Sequence, residues 1–242
     1  MRLVSYNIHS CVGTDGRRDP ARIAAVLEQL EPDVVALQEV DSRVSRGGLD
    51  QATILAVRLG MGLVEGPLLR EHIGHYGNAL LSRWPLRLLT EAEFAAQGRE
   101  RRGWMEVEIL EPDGPTWNVV VTHLDLVSSV RSAQLAELAA RVAGMDGPLV
   151  LAGDLNEWRP WLRRLDGLRK VTQVLAARAS FPSRLPVLAL DRLALKGAVV
   201  RAGPIVATSP LARCASDHLP LWVEVGPARA GRRAPSGPAC RA

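Results

Sequence analysis

Apolar residues along this chain fall into short runs broken by polar turns. Leu3–Tyr6 reads as a buried strand that runs into a polar loop. Ile23, Val26, Leu27 and Leu30 then recur at helical spacing, with Asp19 placed to cap the helix and Pro20 at its first position. Pro32 ends that helix. Val34-Val35-Ala36-Leu37 is an apolar run suited to a strand buried on both faces. Asp50 is placed to cap a second helix, with Ile54, Leu55, Val57 and Leu59 inside it and Gly60 closing it.

Beyond residue 60 the pattern is mostly that of strands. Ala79–Leu81, Leu86–Leu89, Trp104–Leu110 and Trp117–Thr122 are predicted strands, with a hairpin turn over Glu111–Pro115. A helix is predicted over Val130–Val142, a buried strand over Leu149–Ala152, and a short helix over Trp158–Leu165. Leu188–Leu195 and Leu219–Val225 complete the predicted elements. Helices and strands mixed in this way predict a layered α/β domain. No internal repeat is visible, and residues 1–226 read as one domain. Residues 227–242 are rich in Pro, Gly, Ala and Arg and too poor in large apolar groups to pack, so a disordered tail is expected there.

Composition adds little to this picture until it is divided. The 242 residues are 47% hydrophobic, ample for one large core. No run approaches the roughly 18 apolar residues of a membrane span. The N-terminus has no signal-like apolar segment, and three scattered cysteines fit a reducing compartment, so a cytoplasmic location is expected. The net charge of +4 hints at nucleic acid. However, four arginines and no acids follow Gly226, so residues 1–226 carry no net charge.

The candidate chemistry sits where strands stop. Asn7 follows the first strand and Glu39 the strand Val34–Leu37, while Asp154 and Asn156 follow Leu149–Ala152. Asp217-His218 precede the last strand. Carboxylates and amides are hard donors, suited to Mg²⁺ or Mn²⁺ rather than to zinc or copper.

The same residues carry a resemblance. Ser5-Tyr6-Asn7, Leu37-Gln38-Glu39, Tyr76–Arg83, Thr122-His123-Leu124, Gly153–Asn156, Phe181-Pro182-Ser183 with Leu190-Asp191, and Ser216-Asp217-His218 occur in that order. Together they resemble the endonuclease/exonuclease/phosphatase superfamily, the DNase I-like proteins. The resemblance implies a four-layer α/β/β/α sandwich with two packed, mixed, mainly antiparallel sheets. It also implies metal-dependent hydrolysis of a phosphate ester.

Carried over residue by residue, the resemblance makes Glu39 the main metal ligand, with Asn7 and Asp217 beside it. Asp154 orients or deprotonates the attacking water, Asn156 holds that geometry, and His218 contacts the phosphate. Asp191 fixes the His218 tautomer, although Arg192 after it departs from the His or Tyr that relatives often carry. His123 serves as a phosphate contact or proton donor, and its imidazole tilts the reading away from abasic-site endonucleases, which usually have Tyr there. Arg102 and Asn78 are weaker candidates for phosphate contact or support, and His9 for the rim. Trp158 and Trp161, at helical spacing, read as core residues rather than as an apolar wall for substrate.

Three functions follow from these residues. A phosphoesterase acting on a small or lipid-derived phosphate ester is favoured by the neutral body. A nuclease is the alternative, since 26 basic residues could still gather on one face. A non-catalytic binding module is disfavoured because Glu39, Asp154, Asp217 and His218 are all present. The tail arginines predict weak contact with anionic membrane at most, and no obligate protein partner is evident.

Overall fold

The computed structural model describes residues 1–159, 163–176 and 178–228. In chain order its first half runs β1 (Arg2–Asn7), α1 (Pro20–Glu28), β2 (Val34–Asp41), α2 (Gln51–Leu59), β3 (Gly62–Arg70), β4 (His75–Ser82), β5 (Leu86–Glu93) and β6 (Gly103–Leu110). The second half runs β7 (Thr116–His123), α3 (Ser128–Ala143), β8 (Leu149–Asp154), α4 (Asp166–Val171), β9 (Gln173–Val174), β10 (Asp191–Lys196), β11 (Ala198–Val206), α5 (Pro210–Ala215) and β12 (Leu221–Pro227).

Both helix caps read from the sequence form. Asp19 accepts from the Ala21 N–H with Pro20 at the helix start, and Asp50 accepts from the Thr53 N–H. Gly60 closes α2 in the left-handed conformation, where glycine carries no Cβ penalty. In α2 the buried face is Gln51, Ala52, Leu55 and Ala56, whereas Val57 points to solvent, contrary to the expected inside position. The turn at Glu111–Pro115 joins β6 to β7 as expected.

The strands form two six-stranded sheets, ordered β11-β12-β1-β2-β4-β3 and β5-β6-β7-β8-β10-β9. Each sheet holds one parallel pair, β1 with β2 and β7 with β8, and antiparallel pairs elsewhere. Parallel neighbours need a crossover, and α1 and α3 supply it. The larger core joins the two sheets and the α1 side of the first, with Leu3, Leu37, Leu80, Met105, Val119 and Leu193 wholly buried. A second core lies under α3, where Leu135, Leu138 and Val142 meet Val120 and Leu151. Helices therefore flank a pair of packed sheets, which is the four-layer sandwich the resemblance implied.

The structure corrects several details. β3 and β11 were not legible as strands, because Gly66-Pro67 and Gly203-Pro204 interrupt them. Both lie at edges of the first sheet, where proline is tolerated. Of the helix expected over Trp158–Leu165, residues 160–162 lie outside the described residues, and the flanking residues are turns or bends ahead of α4. The tail from 229 onward also lies outside the described residues. Finally, Glu39 does not follow β2 but sits inside it, at a register shift between Leu37 and Val40.

Candidate active site

Three strands of the second sheet end side by side in polar residues. His123 ends β7, Asp154 ends β8, and Asp191 begins β10, with His123 opposite Asp154 and Asp154 opposite Asp191 in the ladder. Gly153 permits this, since a Cβ there would fall 1.9 Å from the Thr122 carbonyl oxygen. The first sheet answers from across the core. Asn7 ends β1, and the Glu39 backbone takes a left-handed φ of 59° at the β2 irregularity. A bulge of this kind re-aims a side chain and is strained for a residue other than glycine.

The Asn7 amide joins the two sheets, donating to Glu39 Oε1 at 3.0 Å and to Asp154 Oδ2 at 3.2 Å. Its own oxygen accepts from the His9 N–H at 3.1 Å. Asp154 Oδ1 accepts from the Asn156 N–H at 2.9 Å, which stabilises the left-handed turn at Asn156.

Two histidines flank Asp154 in opposite states. His218 Nδ1 lies 3.0 Å from Asp191 Oδ2, and its Nε2 lies 3.6 Å from Asp154 Oδ2. Burial alone lowers its pKa, but the Asp191 and Asp154 carboxylates outweigh burial and raise it to about 10. His218 is therefore an imidazolium at neutral pH. His123 is pushed well below its ordinary value, first by burial, then by the Arg102 guanidinium and by His218. Arg102 Nη1 lies 2.9 Å from His123 Nδ1, and a guanidinium only donates, so that nitrogen accepts. The Asn156 amide nitrogen lies 3.1 Å from Nε2 while donating to the Leu124 carbonyl. Hemmed between a guanidinium and an amide, the His123 ring stays uncharged. Burial raises the Asp154 pKa to about 6, with Asp191 adding to the rise and His218 opposing it.

A further set of contacts holds the His218 loop. The Ser183 N–H donates to the Asp217 carbonyl at 2.7 Å, Ser183 Oγ donates to the Ser216 carbonyl at 2.7 Å, and the Leu219 N–H donates to the Ser180 carbonyl at 2.8 Å. Ser180 Oγ donates to Asp191 Oδ2, and the Phe181 ring tilts against the His218 ring with centroids 4.8 Å apart. The segment Ser180–Ser183 is thus a brace for both Asp191 and His218.

Glu39, Arg102, His123, Asp154, Asn156 and His218 line one cavity of about 140 Å³, with Phe181, Leu126, Leu190 and Trp158 as its apolar wall. Trp158 is half exposed and belongs to that wall, not to the core as its spacing suggested; Trp161 lies outside the described residues. Arg102 is buried and bonded within the site. Asp217 stands at the rim, 3.7 Å from His9 Nδ1, and joins Asn7 only through Ser216, whose Oγ donates to the Asn7 carbonyl. Asn78 is not brought into the cluster. It lines a separate cavity with Gly66, Arg70, Glu91 and Trp104. Sequence reasoning missed Ser180, although the neighbouring Phe181-Pro182-Ser183 was legible.

Asp154, Asp191 and His218 offer ligand atoms all within 4.8 Å of one another, but His218 could join the two carboxylates in holding a metal ion only after giving up its proton, since an imidazolium has no free nitrogen lone pair. The donor set fits a hard cation. The Asp154 and Asp191 carboxylates meet there, Asp191 Oδ1 is buried with no hydrogen-bond partner, and the Glu39 carboxylate adjoins the group through the bridging Asn7 amide.

A family model described as "Endonuclease/Exonuclease/phosphatase family" matches residues 4–218. The uncharacterized protein YbhP of Escherichia coli K12 is 37% identical over 161 residues, which is 63% of this chain. The chain spans likewise 63% of that relative's length. Among solved structures, an endonuclease/exonuclease/phosphatase from Beutenbergia cavernae superposes with a TM-score of 0.71 at 25% identity, over 94% of this chain and 71% of that one. A humanized Danio rerio TDP2 superposes with a TM-score of 0.71 at 17% identity, over 93% and 98%.

Proposed function

The chain belongs to the endonuclease/exonuclease/phosphatase family, and from that membership we propose a hydrolase that needs Mg²⁺ or Mn²⁺ and cleaves a small or lipid-derived phosphate ester by attack of an activated water. The observation that carries this reading is the row His123–Asp154–Asp191 with His218 folded over it and Glu39 facing it. Glu39 would hold the cation, with Asn7 after a flip of its amide and Asp217 from the rim. A divalent ion, if bound there, would supply positive charge against the phosphate oxygens.

The protein groups divide the remaining work by protonation state. Asp154, with its pKa near 6, is ionised at neutral pH yet basic enough to take a proton from water. His218 is already protonated, so it serves as a charged donor to a phosphate oxygen rather than as the base. Asp191 keeps that charge in place and orients the ring. Asn156, buried and held by Leu124 and Asp154, lines the cavity, where it contacts the phosphate. His123, kept uncharged by burial and by Arg102, is a hydrogen-bonding wall and not an acid.

Hydrolysis of bis(p-nitrophenyl) phosphate tests the proposal. Dialysis against chelator should abolish turnover, Mg²⁺ or Mn²⁺ should restore it, and Glu39→Ala should remain inactive with metal. Turnover that survives both chelator and Glu39→Ala overturns it.

A further inference from the structure

Glu39 is shared by two cavities. Beyond the small one described above lies a groove of about 530 Å³ on its other side, and arginines dominate that groove. Arg18 comes from the segment after β1, Arg43 and Arg46 from the segment after β2, and Arg99 and Arg101 from the segment between β5 and β6. These residues are far apart in sequence and meet only in the fold.

Not all of this charge is neutralised. Arg43 is paired with Asp41 at 2.9 Å and Arg101 with Glu93 at 2.7 Å, while Glu100 is taken by Arg102 at 2.7 Å. Arg18, Arg46 and Arg99 have no carboxylate within ion-pair distance among the described residues. A second charged surface pocket shows the contrast. It gathers Arg2, Arg83 and Arg201 with Glu31, Asp33 and Glu224 in equal number. Counted the same way, the first groove sets five arginines against Glu39, Asp41 and Glu100, an excess of two in a body (residues 1–226) that is neutral as a whole.

Two of the arginines are also held in place. The Arg18 guanidinium donates to the Arg46 carbonyl, and Arg43 lies over the Tyr76 ring at 5.0 Å. The Gln97 side chain ties the segment carrying Arg99 and Arg101, donating to the Phe94 and Arg102 carbonyls and accepting from the Arg102 N–H. The Arg18 and Arg43 guanidiniums are thus fixed, while those of Arg46 and Arg99 extend from tethered segments into solvent; guanidinium groups match phosphate oxygens in paired, charge-assisted hydrogen bonds.

We propose that this groove binds a second phosphate of the substrate, so that the ester cleaved beside Glu39 belongs to a small molecule carrying more than one phosphate group. The substrate assignment rests on the hydrolase reading above; the anion site itself does not. The volume lies in the range of small-ligand pockets. Three arginines without an ion-pair partner, in a groove whose net excess is two positive charges, match one phosphate group, whereas nucleic acid is gripped by a longer series of backbone contacts.

The test is binding of inorganic tripolyphosphate to the metal-free full-length protein by calorimetry, comparing wild type, Arg46→Ala/Arg99→Ala and Arg83→Ala. All three carry the same tail arginines, so ratios of affinity report the groove. Loss of two phosphate contacts should weaken binding roughly tenfold or more in the double variant, while Arg83→Ala should match wild type. Both substituted residues of the double variant are exposed, and an unchanged thermal midpoint would show that it folds. Equal affinity of the double variant and wild type, or no binding by wild type, overturns the proposal. Tighter binding of a single-stranded oligonucleotide than of tripolyphosphate, lost in the double variant, replaces it with a nucleic-acid groove. Absent hydrolysis of bis(p-nitrophenyl) phosphate with groove-dependent tripolyphosphate binding would sink the hydrolase reading and leave the anion site standing.

Discussion

The two sheets follow one pairing scheme but end in different chemistry. Taken in order, β11-β12-β1-β2-β4-β3 and β5-β6-β7-β8-β10-β9 match pair for pair, with the parallel pair third in each. The amino-acid sequence shows no repeat behind this likeness. The second sheet ends in His123, Asp154 and Asp191, all buried and hydrogen-bonded to their neighbours. The first contributes Asn7 from the end of β1 and, from within β2, a Glu39 that is partly open at a register shift. One end is a closed set in which burial raises the pKa of Asp154 and lowers that of His123. The other is an adjustable carboxylate between a small cavity and an arginine groove. A shared backbone plan thus carries different polar groups in the two sheets, set by the residues at strand ends and at one register shift.

If the closed end performs the chemistry, substitutions there should cost the most. Asp154→Asn keeps the shape and removes the base. Turnover should fall about 10²–10⁴-fold with the fold intact, and a loss of less than tenfold would move the base elsewhere.

Glu39→Gly probes the open end and should separate activity from stability. Metal-dependent turnover should disappear, yet the chelated protein should gain about 1 kcal/mol or less, because glycine relieves the left-handed φ. Denaturant unfolding measures this, and a clear loss of stability would mean that the carboxylate holds the two sheets together.

Asp191→Asn should have the smallest effect on rate, about 10-fold to 100-fold, since it acts through His218. Its signature is in pH dependence. The folded-state pKa of His218, raised from 6.5 to about 10, gives stability that is complete below 6.5 and is lost as pH rises through about 10. The chelated wild type should therefore lose thermal stability from pH 7 to pH 10, and Asp191→Asn should lose less. Equal losses would show that Asp191 does not hold the charge on His218.

Most of the strand-end residues were legible because apolar runs stop abruptly at them. Asp19 with Pro20 and Asp50 with Gly60 marked their helices for the same local reason, since a cap satisfies backbone groups within one turn. β3 and β11 were illegible because their glycines and prolines read as turns, and only an edge position makes such strands possible. The burial of Arg102 was equally hidden, since it depends on His123, which lies in another strand. Trp158 was misread because its spacing to Trp161 gives no sign of the cavity it lines.

What local sequence determined, then, was the set of elements, their caps, and the hard donors and histidines at strand ends. Tertiary structure decided the rest. It set the charge of His218 against the neutrality of His123, because each pKa reports neighbours from other strands. It aimed Glu39 through a register shift that exists only when β2 pairs with β4. It also gathered Arg18, Arg46 and Arg99 into one groove within a neutral body. Charge acts through space, so a count along the chain shows how much there is but not where it collects.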